Sequence, residues 1–405
     1  MGVLDAFDKE QKELAMTAPL VVFMVDEASR QQVTKALRQL DIREAFVDVG
    51  SINDLIAYLG KRERSPERLV VDISGVDKVL DMLDHLADAC DPSVTVYAVG
   101  DKNDVTLYRL LLQAGITDYR YKPLTVDALR LWLDDTGNYS VRQARSGKII
   151  AVAGARGGVG ASTLAGQLAR ELIAGGPLRK VAFLDMDFYG GAGTTLLGLP
   201  VNYAMPEVLG NIDMLDAQFL GRVLTTEDDR LYALGFNALF AQEFVLTPGT
   251  VAGLLTALSQ HFHYLVVDLP HPGSQVANEV YSRANIVCLV SDTSVHSGKI
   301  MTNLITHIRT YNKESVMHVV VNATRPPVKS QVEPAEFSKA VAHPVSITIP
   351  YDAKYPVQAE DLGEALPPES QMAKAVVGLA RTLTGEALEA EGKNSWWQRL
   401  FAKGQ

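Results

Sequence analysis

One pattern restricts this chain more than any other. Short runs that are almost wholly apolar alternate with amphipathic stretches, as when PLVVFMVD gives way to EASRQQVTKALRQL. Strands buried on both faces read as continuous apolar runs, and parallel strands need a long crossover, usually a helix. Residues 20–135 hold five such runs: PLVVFMVD, AFVDV, RLVVDIS, VTVYAVG and DYRYK. A second series opens with KIIAVAGA and continues through KVAFLDMD, RLYALGF, YLVVDLP, NIVCLVSD, HVVVNAT and VSITIP. The expected fold class is therefore α/β, with a five-stranded parallel sheet over residues 19–135 and a larger doubly wound sheet over 148–385. Residues 1–18 read as an N-terminal tail, the polar TGNYSVRQARSG (136–147) as a linker, and 386–405 as an acidic tether and a short terminal helix.

Composition narrows the partners. A formal charge of −10 disfavours whole-molecule attraction to nucleic acid. Cys90 and Cys288 lie far apart and imply no disulfide framework, which fits a reducing cytosol. The start, MGVLDAFDKEQKEL, carries acidic residues where a signal peptide needs basic ones, and no apolar run is long enough to span a bilayer. A cytoplasmic location is expected, with membrane contact peripheral at most.

The stretch GARGGVGASTLAGQLA follows the first strand of the second series. Gly157, Gly158 and Gly160 let backbone N–H groups approach an anion, and the helix that follows points its N-terminus at the same place. Ser162 stands where a hydroxyl can ligate Mg²⁺. These residues resemble the deviant phosphate loop of the ParA/MinD superfamily, which opens Lys-Gly-Gly and closes Gly-Lys-Thr. The resemblance implies that Gly157, Gly158, Val159, Gly160, Ala161, Ser162 and Thr163 surround the phosphates of ATP. It puts Arg156 at the signature basic position, which in the family reaches the partner's phosphates across a nucleotide-sandwich dimer. Ala161 stands where the family has its phosphate-gripping lysine. Losing one member of a desolvated charge pair typically costs about 2–5 kcal/mol, so hydrolysis should be slow or should depend on Arg156, whose guanidinium can make bidentate phosphate contacts. Whether the chain is an enzyme stays open at this point.

Carboxylates at strand ends complete the expected site. In FLDMDFYGG the resemblance gives Asp187 the task of orienting water and Asp185 a place near Mg²⁺, an acidic loop cap being the alternative. In YLVVDLPHPG it gives Asp268 the magnesium hydration shell, and His271 receives no role. Asn322 in HVVVNAT matches the family's adenine-contacting asparagine, with a turn former as the alternative, and Pro350 and Asp352 match its closing motif beside the base. His261 and His263 lack a further ligand at zinc spacing.

In the first series, Asp26 and Glu27, Asp72, and Lys122 before Pro123 all fall at strand ends. They resemble the acidic pair, phosphoacceptor and lysine of response-regulator receivers. Gly100 stands where that family needs a hydroxyl, so the expectation is a degenerate receiver used for dimerisation or partner docking. At the far end, Trp396, Trp397, Leu400 and Phe401 share one helical face beside basic residues. They resemble the membrane-targeting helix of MinD proteins; a helix docked on its own domain is the alternative.

A receiver-like domain ahead of a ParA/MinD-type domain resembles the CpaE/TadZ family of tight-adherence (Flp/type IVc) pilus proteins. That resemblance implies an ATP- and Mg²⁺-binding homodimer that localises at a cell pole or the inner membrane and recruits the pilus secretion machinery. Three functions compete: a nucleotide-gated localisation factor, an active membrane-cycling ATPase, and a phosphorylation-responsive regulator. Ala161 disfavours the second and Gly100 the third. A DNA-partitioning ATPase is weaker still, for want of a dense basic run.

Overall fold

The computed structural model describes residues 15–385, except 63–64, 134–145, 177–178, 201–203, 216, 236–237, 239–245, 270 and 329–331. The terminal segment with Trp396, Trp397, Leu400 and Phe401 lies outside the described residues, as does most of the expected linker. Two compact units result: Met1–Gly147 forms the first and Lys148 onward the second, apart from Gly176–Arg179 and Gln260–His263, which group with the first.

The first unit holds β1 (Leu20–Met24), β2 (Ala45–Val49), β3 (Arg68–Asp72), β4 (Thr95–Gly100) and β5 (Asp118–Tyr121), in the order β2-β1-β3-β4-β5. All neighbours are parallel. This is the flavodoxin-like doubly wound order, whose ligand crevice opens where the winding reverses, between β1 and β3. The apolar runs explain it: β1 is buried throughout, and its alternate residues feed two cores, Val21 and Phe23 on one face, Leu20, Val22 and Met24 on the other. Asp26 closes β1 by capping the helix Glu27–Gln39, accepting from the Ser29 amide at 2.7 Å.

The second unit holds β6 (Lys148–Gly154), β7 (Val181–Asp185), β8 (Thr225–Glu227), β9 (Leu231–Leu234), β10 (Tyr264–Leu269), β11 (Ile286–Ser291), β12 (Val316–Asn322) and β13 (Val345–Ile349). Their order is β13-β12-β11-β6-β10-β7-β9-β8. The sequence pattern offers seven strands here, and the structure adds an eighth, β8. β8 pairs antiparallel with β9 and makes the sheet mixed. It escaped detection because TTE has no apolar run, and a tight return through Asp228 and Asp229, both at left-handed φ (54° and 53°), needs no crossover.

β6 sits inside the sheet, between β11 and β10. The helix Ala161–Ala174 covers it, burying Leu164, Ala165, Leu168, Ala169 and Leu172 against the apolar residues of β6, β7 and β10. Among the described residues no helix is long and apolar enough to cross a membrane.

Candidate functional site

The site begins where β6 ends. Gly158 and Gly160 adopt left-handed φ of 73° and 83°, which other residues take only with strain. Gly157 is exposed, and a Cβ there would meet no protein atom within 4 Å. Open space therefore lies in front of the loop. The helix Ala161–Ala174 starts at Gly160, which makes no side-chain cap bond, so its first-turn N–H groups have no capping side chain among the described residues.

The loop is braced from behind. The buried amide of Asn322, the last residue of β12, donates from Nδ2 to the Val159 carbonyl at 2.9 Å. A Cβ on Gly160 would lie 2.5 Å from that same nitrogen. Asn322 is thus engaged with the loop itself in this structure. Val159 is buried and contributes backbone only, whereas Ala161, Ser162 and Thr163 are partly exposed along the first turn.

Adjacent strands bring the carboxylates together. In the β10–β7 register Asp268 pairs with Asp185. Asp185 is buried and organises the loop after β7, accepting from the Asp187 amide at 2.9 Å and the Gly193 amide at 2.7 Å. Burial raises its pKa. Asp187 sits two residues on, partly exposed, and accepts from the amides of Tyr189 and Gly190. Asp268 is 3% exposed, receives a hydrogen bond from Ser162 and leaves Oδ1 buried without a hydrogen-bond partner among the described residues. Burial pushes its pKa up to about 7, and the charges of Asp185 and Asp187 add to that. A buried, orphaned carboxylate oxygen beside a helix-start hydroxyl is what a hydrated divalent cation would satisfy. Among the described residues no cluster of three or more His, Cys, Asp or Glu could chelate a metal unaided. Such a cation would need the ligand's own oxygens and water.

Arg156 does not point into open space. Its Nη2 forms an ion pair with Asp292, its Nε donates to Ser297 Oγ at 3.2 Å, and its Nη1 donates to the Gly157 carbonyl. Although burial favours the neutral acid, hydrogen bonds from Ser297, Ser294 and Arg156 hold the Asp292 carboxyl at about 2. Asp292 follows β11, and Ser294 caps the helix Val295–Tyr311. Sequence reading passed over this trio. The signal is present in SDTSVHSG, an acid and three serines at a strand end of the same sheet.

On the base side, Pro350 is exposed just after β13. Asp352 accepts from the amides of Lys354 and Tyr355 with one oxygen and from the Ser370 hydroxyl with the other. One oxygen thus holds the local backbone and the other the serine that caps the helix Gln371–Thr384.

In the first unit, Lys122 joins two of the expected acids: its ammonium lies 2.5 Å from Asp72 and 3.0 Å from Asp26. Asp72 also accepts from the Val25 amide and from Ser74. Glu27 stays outside this group, turned to Arg30 and Gln31 at the surface. Near Gly100 the structure adds a residue unremarked in the sequence. The Tyr119 hydroxyl donates to the Lys102 carbonyl at 2.6 Å, and a Cβ on Gly100 would come within 2.6 Å of that oxygen. The Tyr119 ring and hydroxyl leave no room for a side chain at Gly100.

Residues 145–322 match a family model described as ParA, NUBPL iron-transfer P-loop NTPase. Among solved structures, a ParA family ATPase from Chlorobium tepidum TLS is 21% identical, over 59% of this chain and 99% of its own, with a TM-score of 0.54. The septum site-determining protein MinD complexed with Mg-ADP, from Pyrococcus horikoshii OT3, is 18% identical over 59% of this chain and 97% of its own, with a TM-score of 0.50. A putative CpaE2 pilus assembly protein from Sinorhizobium meliloti 1021 is 33% identical over 27% of this chain and 96% of its own, with a TM-score of 0.25. No curated protein matches the chain.

Proposed function

We propose, from the premise that the larger unit is a ParA/MinD-like P-loop NTPase, that this chain is a nucleotide-gated localisation factor that dimerises on ATP and turns it over slowly. The observation that carries the reading is the pairing of an uncapped, glycine-built helix start with the orphaned oxygen of Asp268 across from it. Loop N–H groups would hold the phosphates; Ser162 and, through water, Asp268 would hold Mg²⁺. When bound, the cation supplies charge neutralisation at the phosphates.

Two features support slow turnover. Ala161 offers no ammonium at the first turn, and Arg156, the loop's own cation, is paired to Asp292. Breaking that pair is then part of the transition to the dimer. The order of the two units supports a role in assembling a tight-adherence pilus secretion machine, with Trp396, Trp397, Leu400 and Phe401 as a paired membrane foot in the dimer.

Sizing the purified protein against Mg·ATP tests the reading. Dimer should form with ATP while steady hydrolysis stays weak. Ala161→Lys should tighten nucleotide binding, and Asp292→Ala, by freeing Arg156, should tighten the ATP dimer several-fold. Rapid metal-dependent turnover abolished by Asp187→Ala would overturn the slow-turnover part. A chain that stays monomeric at saturating ATP would overturn the gate.

A further inference from the structure

Two turns along the phosphate-loop helix, Gln167 and Arg170 share one face. Arg170 makes three separate ties. Its Nη1 pairs with Glu227 at the end of β8 at 2.8 Å, and its Nη2 donates to the Leu197 carbonyl at 2.8 Å and to the Gly363 carbonyl at 3.0 Å. Gln167 adds two more, donating to the Glu364 carbonyl at 3.2 Å and accepting from the Leu366 amide at 3.0 Å. Leu197 ends the short helix Gly193–Leu196, which follows the loop that begins at Asp185 and Asp187. Gly363 ends the helix Tyr355–Leu362, which follows Pro350 and Asp352. The two segments touch backbone to backbone. A Cβ on Gly363 would lie 2.5 Å from the Gly198 Cα, one on Gly198 would lie 2.5 Å from the Gly363 carbonyl oxygen, and both glycines take left-handed φ.

We propose that Arg170 is a positioning residue that fastens the carboxylate loop and the base-side segment to the phosphate-loop helix, so that a ligand seated at the phosphates alone also orders the base side. This rests on the nucleotide reading above. The physical case is that this junction is closely confined. The Arg170 side chain is 14% exposed, two of its three acceptors are main-chain carbonyls that cannot rotate away, and the glycine crossing leaves no room for one segment to slide past the other. No wall of the site can shift without straining this knot. The base side would therefore be pre-shaped before the base arrives, which lowers the cost of ordering it.

Amide hydrogen exchange on the full chain with Mg²⁺ and inorganic tripolyphosphate, which has no base, tests this against Mg·ATP. In the unmodified protein tripolyphosphate should slow exchange in residues 155–163, 186–199 and 363–366 alike. In Arg170→Gln it should still protect 155–163 but leave 363–366 unchanged. ATP affinity should then fall roughly five- to tenfold, while tripolyphosphate affinity holds within about twofold. A merely structural arginine would lower the melting temperature and leave the joint response intact. Protection of 155–163 without 363–366 in the unmodified protein overturns the proposal while sparing the nucleotide reading, and needs no variant to fold. A joint response that survives in Arg170→Gln also overturns it. Absence of protection at 155–163 with both ligands overturns the nucleotide reading, and the proposal with it.

Discussion

Asp268 answers to two opposed demands. Burial favours its protonated form, yet a divalent cation needs the carboxylate. The sign of each effect can be fixed. Its folded pKa, about 7, lies above the ordinary 3.8, so the stabilisation it lends the folded chain is full below the ordinary value and drains away as pH rises toward 7. Cation binding must expel the proton. Magnesium-dependent nucleotide affinity should therefore climb between about pH 6 and 8 and level off above. In Asp268→Asn the climb should vanish, together with the matching loss of ligand-free stability. Titration calorimetry in two buffers of different ionisation heat reads the released proton directly. An affinity that is flat in pH for the unmodified protein would show that Asp268 stays clear of the ion.

At the scale of elements, the Gly100–Tyr119 contact makes the end of β4 unreceptive to any side chain. Gly100→Ala should destabilise the first unit by about 1–3 kcal/mol, the usual cost of overpacking. The cost should shrink in a Tyr119→Phe background, where the crowding oxygen is gone; equal costs in both backgrounds would mean the tyrosine swings clear. The same elements show what a sequence makes readable. Twelve of the thirteen strands in the described residues fall on runs readable in the sequence, most plainly β1, β7, β10 and β11, which are apolar and buried throughout. β8 does not, since three residues at a sheet edge bury too little to leave a pattern. The glycine loop is equally legible, its geometry being set by neighbouring residues. Partnerships are another matter. Arg156 finds Asp292 across 136 positions, and Arg170 finds the Gly363 carbonyl across 193. Asn322 reads as a base contact in the sequence; that its amide nitrogen also meets the Val159 carbonyl, 163 positions away, is decided only by the folded sheet, in which β11 alone separates β12 from β6.

The whole molecule carries separate cores, Val21, Leu55 and Leu69 among the residues of one unit and Ile150, Leu168 and Val266 among those of the other. Scanning calorimetry should resolve two transitions, and Mg·ATP should raise only that of the larger unit, by about 2.7 kcal/mol at a hundredfold excess over the dissociation constant. A rise in both, or in the smaller alone, would place the ligand elsewhere. The interior position of β6 has a further outcome, in time. Its two flanking strands, β10 and β11, begin at Tyr264 and Ile286, and the asparagine that braces its loop is Asn322. On the ribosome the glycine loop, ending at Gly160, thus emerges before all three supports. A ligand that needs the braced loop would therefore find its site only on the finished chain, not on the growing one.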